Sequence, residues 1–233
     1  MDAFYQPNPF MAVSKYMNSL AIFKMQMGVA VGSLPFNSQT SIAAQSFEVA
    51  IVGGYDLRLF GISTPIILGV KNSTLTAAFE DENGSIGIAG AHTAVRAGIG
   101  FYTNPMKVAG TNLAIGLELG VDQGVASSVE AKFASDADQG FPGGFEDAEG
   151  KPLEEEINGK STPGTGFFAN LELNFEVGPM LIGGYAGIQQ ITQVIDLEQP
   201  QPFRGKEDKV PQEEIKGESI LGFGGGLNLV WKF

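Results

Sequence analysis

The chain has 233 residues, a net charge of −12 and no cysteine. Fourteen Lys and Arg against 26 Asp and Glu leave no clustered basic face for nucleic acid, and without cysteine there is neither a disulfide framework nor a thiolate metal site. Only 17% of residues are charged and 32 are glycine, against about a quarter charged and about 7% glycine in ordinary globular chains. That composition fits a protein whose outside faces lipid better than it fits a cytosolic enzyme.

Residues 1–20 carry Phe4, Tyr5, Phe10, Met11, Tyr16 and Met17 without a clear period. They stand as a separate segment that could plug a barrel, extend a first strand, contact a partner or form a floppy terminus. From residue 21 the chain alternates, which puts successive side chains on opposite faces of a strand. Phe23, Met25, Met27, Val29 and Val31 oppose Lys24, Gln26, Gly28 and Ala30. Phe47, Val49, Ile51, Tyr55, Leu57 and Leu59 oppose Glu48, Ala50, Gly54, Asp56 and Arg58. Residues 66–80 alternate from Thr74 onward, with Leu75, Ala77 and Phe79 as the apolar face. Residues 85–103 alternate from Val95, with Ile86 and Ile88 in the opposite phase. A β-bulge near Ala89 to Thr93 is expected to restore that register.

Leu113, Ile115, Leu117, Leu119 and Val121 oppose Ala114, Gly116, Glu118 and Gly120. Ala169, Leu171, Leu173, Phe175 and Val177 oppose Asn170, Glu172, Asn174 and Glu176. Residues 180–192 are glycine-rich and readable in either phase. The last segment sets Leu221, Phe223, Gly225, Leu227, Leu229, Trp231 and Phe233 against Gly222, Gly224, Gly226, Asn228, Val230 and Lys232. Segments of about ten residues at period 2 match the length a tilted strand needs to cross a bilayer. No run of about 18 apolar residues supplies a transmembrane helix.

Eight strands result, with ten as the alternative if residues 1–20 or 123–164 hide a hairpin. Counting strands sorts the connections. Residues 61–65, 104–111 and the turn at 178–179 fall at one end; 34–43, 81–84, 123–164 and 193–217 fall at the other. Short turns at one end and mostly long loops at the other is the outer-membrane pattern. In lipid an unpaired backbone group costs several kcal/mol, so such a sheet must close. The expected fold is an all-β, membrane-spanning, antiparallel up-and-down barrel over residues 21–233, with long loops 123–164 and 193–217. Glu48, Arg58, Arg96, Glu118, Glu172, Asn174 and Asn228 then face the lumen, and Leu117, Leu171, Leu229 and Trp231 face the membrane. Inward glycine and alanine, such as Gly28, Gly116 and Gly224, leave room for water or a solute on one reading. On the other they serve only the curvature of a tight barrel.

The alternation, the loop asymmetry and the segment Leu227-Asn228-Leu229-Val230-Trp231-Lys232-Phe233 resemble the small outer-membrane barrels of Gram-negative bacteria, the OmpW, OmpX and OmpA-barrel group. The resemblance spans about residues 17–233. It implies an integral outer-membrane location and insertion by the barrel-assembly machinery, with Leu229, Trp231 and Phe233 as the assembly signal. No signal peptide is visible, so an exported form with that peptide already removed is expected. The resemblance further implies a role in small-solute passage, adhesion or envelope structure. No functional motif of any one member is matched.

The first functional expectation is therefore a barrel that passes or binds small solutes. The second is a non-conducting scaffold that contacts envelope proteins through its acidic loops and N-terminal segment. The third is a soluble lipocalin-like barrel with its apolar face inward. No enzyme is expected. His92 is the single histidine; no serine adjoins it in sequence and no acid partner is set by spacing, so a hydrogen-bonded strand histidine is the plainer reading. Residues 123–164 hold nine carboxylates against three lysines. Asp136 and Asp138 ahead of Gly140 resemble the opening of a calcium loop, but the later ligands are missing and a solvated acidic loop explains them as well. Phe133, Phe141 and Phe145 suggest packing on the barrel mouth or a partner. Loop 193–217, with its prolines, is expected to be irregular. Gly224-Gly225-Gly226 opens no helix, so it is no phosphate loop, and no cofactor is expected.

Overall fold

The computed structural model describes residues 21–35, 41–57, 59, 62–81, 84–135, 154–157, 159–178, 180–191, 193–197, 215–217 and 220–232. Eight long strands are numbered here in chain order: β1 (Ala21–Pro35), β2 (Ser41–Asp56), β3 (Pro65–Asp81), β4 (Gly84–Tyr102), β5 (Thr111–Ser135), β6 (Thr165–Val177), β7 (Met180–Ile191) and β8 (Ile220–Lys232). Each pairs antiparallel with its neighbours in sequence, and β8 pairs with β1 from Ile22↔Lys232 to Gly32↔Gly222. The β4–β5 ladder runs from Gly84↔Ser135 to Tyr102↔Gly116. Every long strand thus has two partners, and no long edge is left bare. The fold is an eight-stranded up-and-down β-barrel.

The pleat decides what lies inside. On β6, Phe168, Asn170, Glu172 and Asn174 are buried while Phe167, Leu171, Leu173 and Phe175 are exposed. Leu171 is 55% exposed beside Glu172 at 0%. Polar side chains are inside and apolar ones outside, which excludes the lipocalin-like arrangement. The outward apolar residues form a continuous belt: Val29 and Val31 on β1, Phe47 and Ile51 on β2, Ile66, Leu68 and Val70 on β3, Leu117, Leu119 and Val121 on β5, Phe223 and Leu227 on β8. From Phe167 to Phe175 the belt rises roughly 20 Å, taking about 3.3 Å per residue and a tilt near 40°. Aromatics sit at both margins. Phe23, Tyr55, Phe101, Phe175 and Trp231 ring the end with the short turns, where the Phe23 and Trp231 rings lie 5.6 Å apart. Phe47, Phe167 and Phe223 ring the other end.

Above the belt the outward residues turn polar. On β3 the outward row continues through Asn72, Thr74 and Thr76, while Lys71, Ser73, Leu75 and Ala77 are buried. Leu75 and Ala77 therefore point inward, against the expectation that they form the lipid face. On β4, Ile88 is buried in the same phase as His92, Ala94 and Arg96, so this strand needs no phase change. A register shift does occur opposite Thr93/Ala94, but the extra residue is Val125 on β5. Beyond it the inward positions of β5 pass from even to odd numbers, with Ala131 buried and Ser128, Glu130 and Lys132 outward and exposed.

The connections sort by length. Those at one end are short: residues 57–64, 103–110 and the turn at Gly178, whose φ is 61°. Within 103–110 a short strand, Met106–Val108, folds back on Thr111–Leu113 through Ala109 and Gly110, both at positive φ. At the other end, residues 123–135 are not loop but the continuation of β5. Glu154–Ile157 pairs with them. Gly159–Pro163, Gln193–Leu197 and Ile215–Gly217 form a separate three-stranded sheet, so 193–217 is partly regular. These short strands lie outside the ring, whose count stays at eight. Residues 1–20, Arg58, Asp136, Asp138, Phe141, Phe145 and Phe233 lie outside the described residues, as does the side chain of Phe133.

Candidate functional site in the lumen

The sequence places a charged side chain on the inner face of six of the eight strands, and closure brings them together. Lys24 on β1 forms ion pairs with Glu118 on β5 and Glu172 on β6. Tyr102 at the end of β4 donates its hydroxyl to Glu172 Oε2 at 2.9 Å. Gln26 Nε2 donates to Glu172 Oε1 at 3.2 Å, and Asn174 Nδ2 to Glu172 Oε2 at 3.2 Å. Gln26 also links this cluster to the next, because its Oε1 accepts from Arg96 Nη1 at 3.0 Å.

The second cluster is built round Asp122. Arg96 holds it in a two-point grip, Nε to Oδ1 and Nη2 to Oδ2, both at 2.8 Å. Lys71 Nζ adds a contact to Asp122 Oδ2 at 3.2 Å and another to Glu48 Oε1 at 3.1 Å. Gln189 on β7 accepts from Lys71 at 2.8 Å and donates to Glu48 at 2.6 Å. The Arg96 guanidinium lies over the Phe168 ring, 4.0 Å from its centroid. Three cations thus meet four carboxylates. All seven charged residues are buried, in a setting where an unpaired charge costs several kcal/mol.

Six of the seven expected lumen residues lie inside: Glu48, Arg96, Glu118, Glu172, Asn174 and Asn228 are all buried. Arg58 lies outside the described residues. Leu117 and Leu171 are exposed on the outer face, and Leu229 and Trp231 occupy the same outward row of β8 at intermediate exposure. The expectations did not single out Lys24, Gln26, Lys71, Tyr102, Asp122 or Gln189 as site residues. Lys24 and Gln26 stand on a recognised polar face. Asp122 could have been found by carrying the parity of its strand one step past Gly120, whereas the phase read for β3 from Leu75 and Ala77 puts Lys71 on the wrong face.

The inward glycines have a direct use. A Cβ on Gly116 would lie 2.2 Å from two atoms of the Tyr102 ring, and one on Gly28 would lie 2.2 Å from the Tyr185 hydroxyl. Gly120 similarly faces Phe168 at 2.6 Å. At these points the missing side chains make room for aromatic rings inside the lumen. Gly116→Ala is expected to displace Tyr102 from Glu172 and to cost about 1–3 kcal/mol. Urea unfolding of the detergent-solubilised barrel measures this, and the same alanine in a Tyr102→Leu background should cost clearly less.

His92 points inward and is 7% exposed, and its Nε2 has no hydrogen-bond partner among the described residues. The plain hydrogen-bonded histidine is therefore not what the lumen holds at that nitrogen. Ser73 and Ser127 flank it across the ladder, neighbours that sequence adjacency could not reveal.

Taken together, a network of paired polar side chains crosses the lumen among the described residues. No protein-family model matches this chain, and no curated protein matches its sequence. Among solved structures it is similar to the Neisserial surface protein A, at 12% identity and a TM-score of 0.37, covering 91% of this chain and 97% of that one. It is also similar to Ail, the attachment invasion locus protein of Yersinia pestis, at 13% identity and a TM-score of 0.33, covering 90% and 99%. A third likeness is to the transport unit of the autotransporter AIDA-I from Escherichia coli, at 10% identity and a TM-score of 0.31, covering 100% and 93%.

Proposed function

We propose that this protein is an integral outer-membrane β-barrel that does not conduct, and that serves as an anchored scaffold for contacts at its long-connection end. The observation that carries the reading is the cross-lumen network from Lys24 through Gln26 and Arg96 to Lys71 and Gln189. It ties strands on opposite sides of the barrel, β1 to β5 and β3 to β7. The exposed apolar belt with aromatic margins supports the membrane setting, because a soluble monomer rarely exposes apolar patches beyond a few hundred Å2 while a lipid-facing barrel needs such a band. The acidic stretch 123–164 and the polar walls of β3 and β5 above the belt support contact with other envelope components at that end. Leu229 and Trp231 hold outward places in β8, where the barrel-assembly machinery would read them.

Passage of small solutes, the other functional expectation, is disfavoured by the same network. Reconstitution into planar lipid bilayers separates the two. The wild-type barrel is expected to stay electrically silent across ±100 mV, the scale on which one charge crossing the membrane gains about 2.3 kcal/mol. Stable open steps from the purified wild-type protein would sink the scaffold reading in favour of passage.

A further inference from the structure

The plug does not fill the whole lumen. Between it and the short-turn end lies a cavity of about 540 Å3, within the size range of sites that hold small organic ligands, about 300–1,000 Å3. Its wall is divided. Ile22, Ile67, Leu181 and Val230 form an apolar side. Against them stand Glu118 and Asn174 at the inner end, with Asp56 and Glu176 also lining the space. Among the described residues the charge is one-sided: the lining holds three carboxylates and one cation, Lys24, which is already committed to Glu118 and Glu172.

The decisive detail is an unmet bonding capacity of one kind. Glu118 is 1% exposed and Asn174 is 0% exposed. Glu118 Oε1 and Asn174 Oδ1 have no hydrogen-bond partner among the described residues. Both are acceptors. A buried acceptor left unpaired costs about 1–3 kcal/mol, and more when charged. Two residues of one cavity lining, each with an unmet acceptor, ask for a ligand that brings N–H donors and positive charge. The aliphatic wall asks for an apolar body on the same molecule.

We infer that this turn-end cavity is a binding site for a small aliphatic amine, with a protonated nitrogen seated between Glu118 Oε1 and Asn174 Oδ1 and its hydrocarbon body against Ile22, Ile67, Leu181 and Val230. A second ammonium on the same chain would meet Glu176, which is exposed and accepts from Asn112 at 2.6 Å. A simple anion is excluded by the lining charge. A neutral alcohol forfeits the charge-assisted bond. The inference goes beyond the scaffold reading and does not need it, because a site at the short-turn end works in a silent barrel and a conducting one alike.

Isothermal titration of the full-length folded protein in neutral detergent tests it, with 1,8-diaminooctane as the probe and octane-1,8-diol as its uncharged match. The diamine should bind saturably at one site per barrel, and the diol at least about tenfold more weakly. Glu118→Gln should weaken the diamine by a similar factor. Because that residue also belongs to the plug, Leu181→Trp provides an independent variant that fills the cavity from its apolar side and should abolish the heat while leaving the ion pairs in place. Equal binding of diamine and diol, heat that does not saturate, or binding untouched by Leu181→Trp would overturn the assignment. Bilayer silence is read separately, so failure here leaves the scaffold reading standing, and the converse holds.

Discussion

Lys24→Met is expected to lower the unfolding free energy of the barrel by about 3–5 kcal/mol, the loss that follows when one partner of a buried ion pair is removed. Lys24 is 1% exposed and lies between two carboxylates. Without it, Glu118 and Glu172, diagonal neighbours on the inner wall of the paired strands β5 and β6, are left with Tyr102, Gln26 and Asn174 as their donors among the described residues. The loss measures an abandoned charge more than the worth of the pair itself, and a second variant shows this. Lys24→Met combined with Glu118→Gln and Glu172→Gln removes all three charges at once, and should regain most of the stability. Trp231, the single tryptophan, reports both through its fluorescence on unfolding in urea with lipid vesicles. Lys132→Met, an exposed position on β5, serves as the control and should stay within about 0.5 kcal/mol of wild type. A Lys24→Met barrel as stable as that control would mean the plug is not held by its charges.

Much of this interior was legible because the pleat converts parity into position. Once Lys24 shares a face with Gln26, and Glu118 with Gly116 and Gly120, closure alone brings lysine and glutamate into one space. What parity does not give is depth: nothing in the sequence says that Glu118 and Glu172 sit at the height of Lys24, since that depends on the stagger between strands. Lys71 shows a different failure. It lies where β3 passes out of the belt, between outward Val70 and outward Asn72. Below that level the apolar residues Ile66, Leu68 and Val70 face out, because the outside is hydrocarbon. Above it Leu75 and Ala77 face in, because the outside is water and the inside is the drier place. The geometric alternation never breaks, yet the hydropathy alternation reverses sign, and a period-2 search sees only a weak strand. The same reversal separates Ile88 from Val95 on β4. A bulge within β4 is not what causes that reversal: the bulge at this level sits at Val125 on the neighbouring strand. A reversal of hydropathy phase without a break in pleat thus marks the edge of the lipid belt.

That edge can be tested with one substitution made at two heights. Leu171 stands mid-belt on β6, paired with Leu117 and Ala186, and is 55% exposed. Judged as a soluble surface, Leu171→Arg replaces an exposed side chain in no special contact, and should stay within about 0.5 kcal/mol. Facing hydrocarbon, it places a guanidinium near the bilayer midplane and should cost about 2–4 kcal/mol. Thr74 on β3 also points outward and is exposed, but it lies two outward positions beyond Val70, past the last large apolar residue of its row. Thr74→Arg should therefore cost no more than about 1 kcal/mol, as arginine does near an interface. Both residues lie in strands paired on each side, and both changes create the same side chain, so strand propensity and bulk largely cancel in the comparison. Unfolding in phosphatidylcholine vesicles, followed by Trp231 emission, gives the two values. A gap of at least about 1 kcal/mol between Leu171→Arg and Thr74→Arg fixes the belt where the outward leucines end. Equal small losses would put water against Leu171, and the outward apolar face would then have to be covered by something other than lipid.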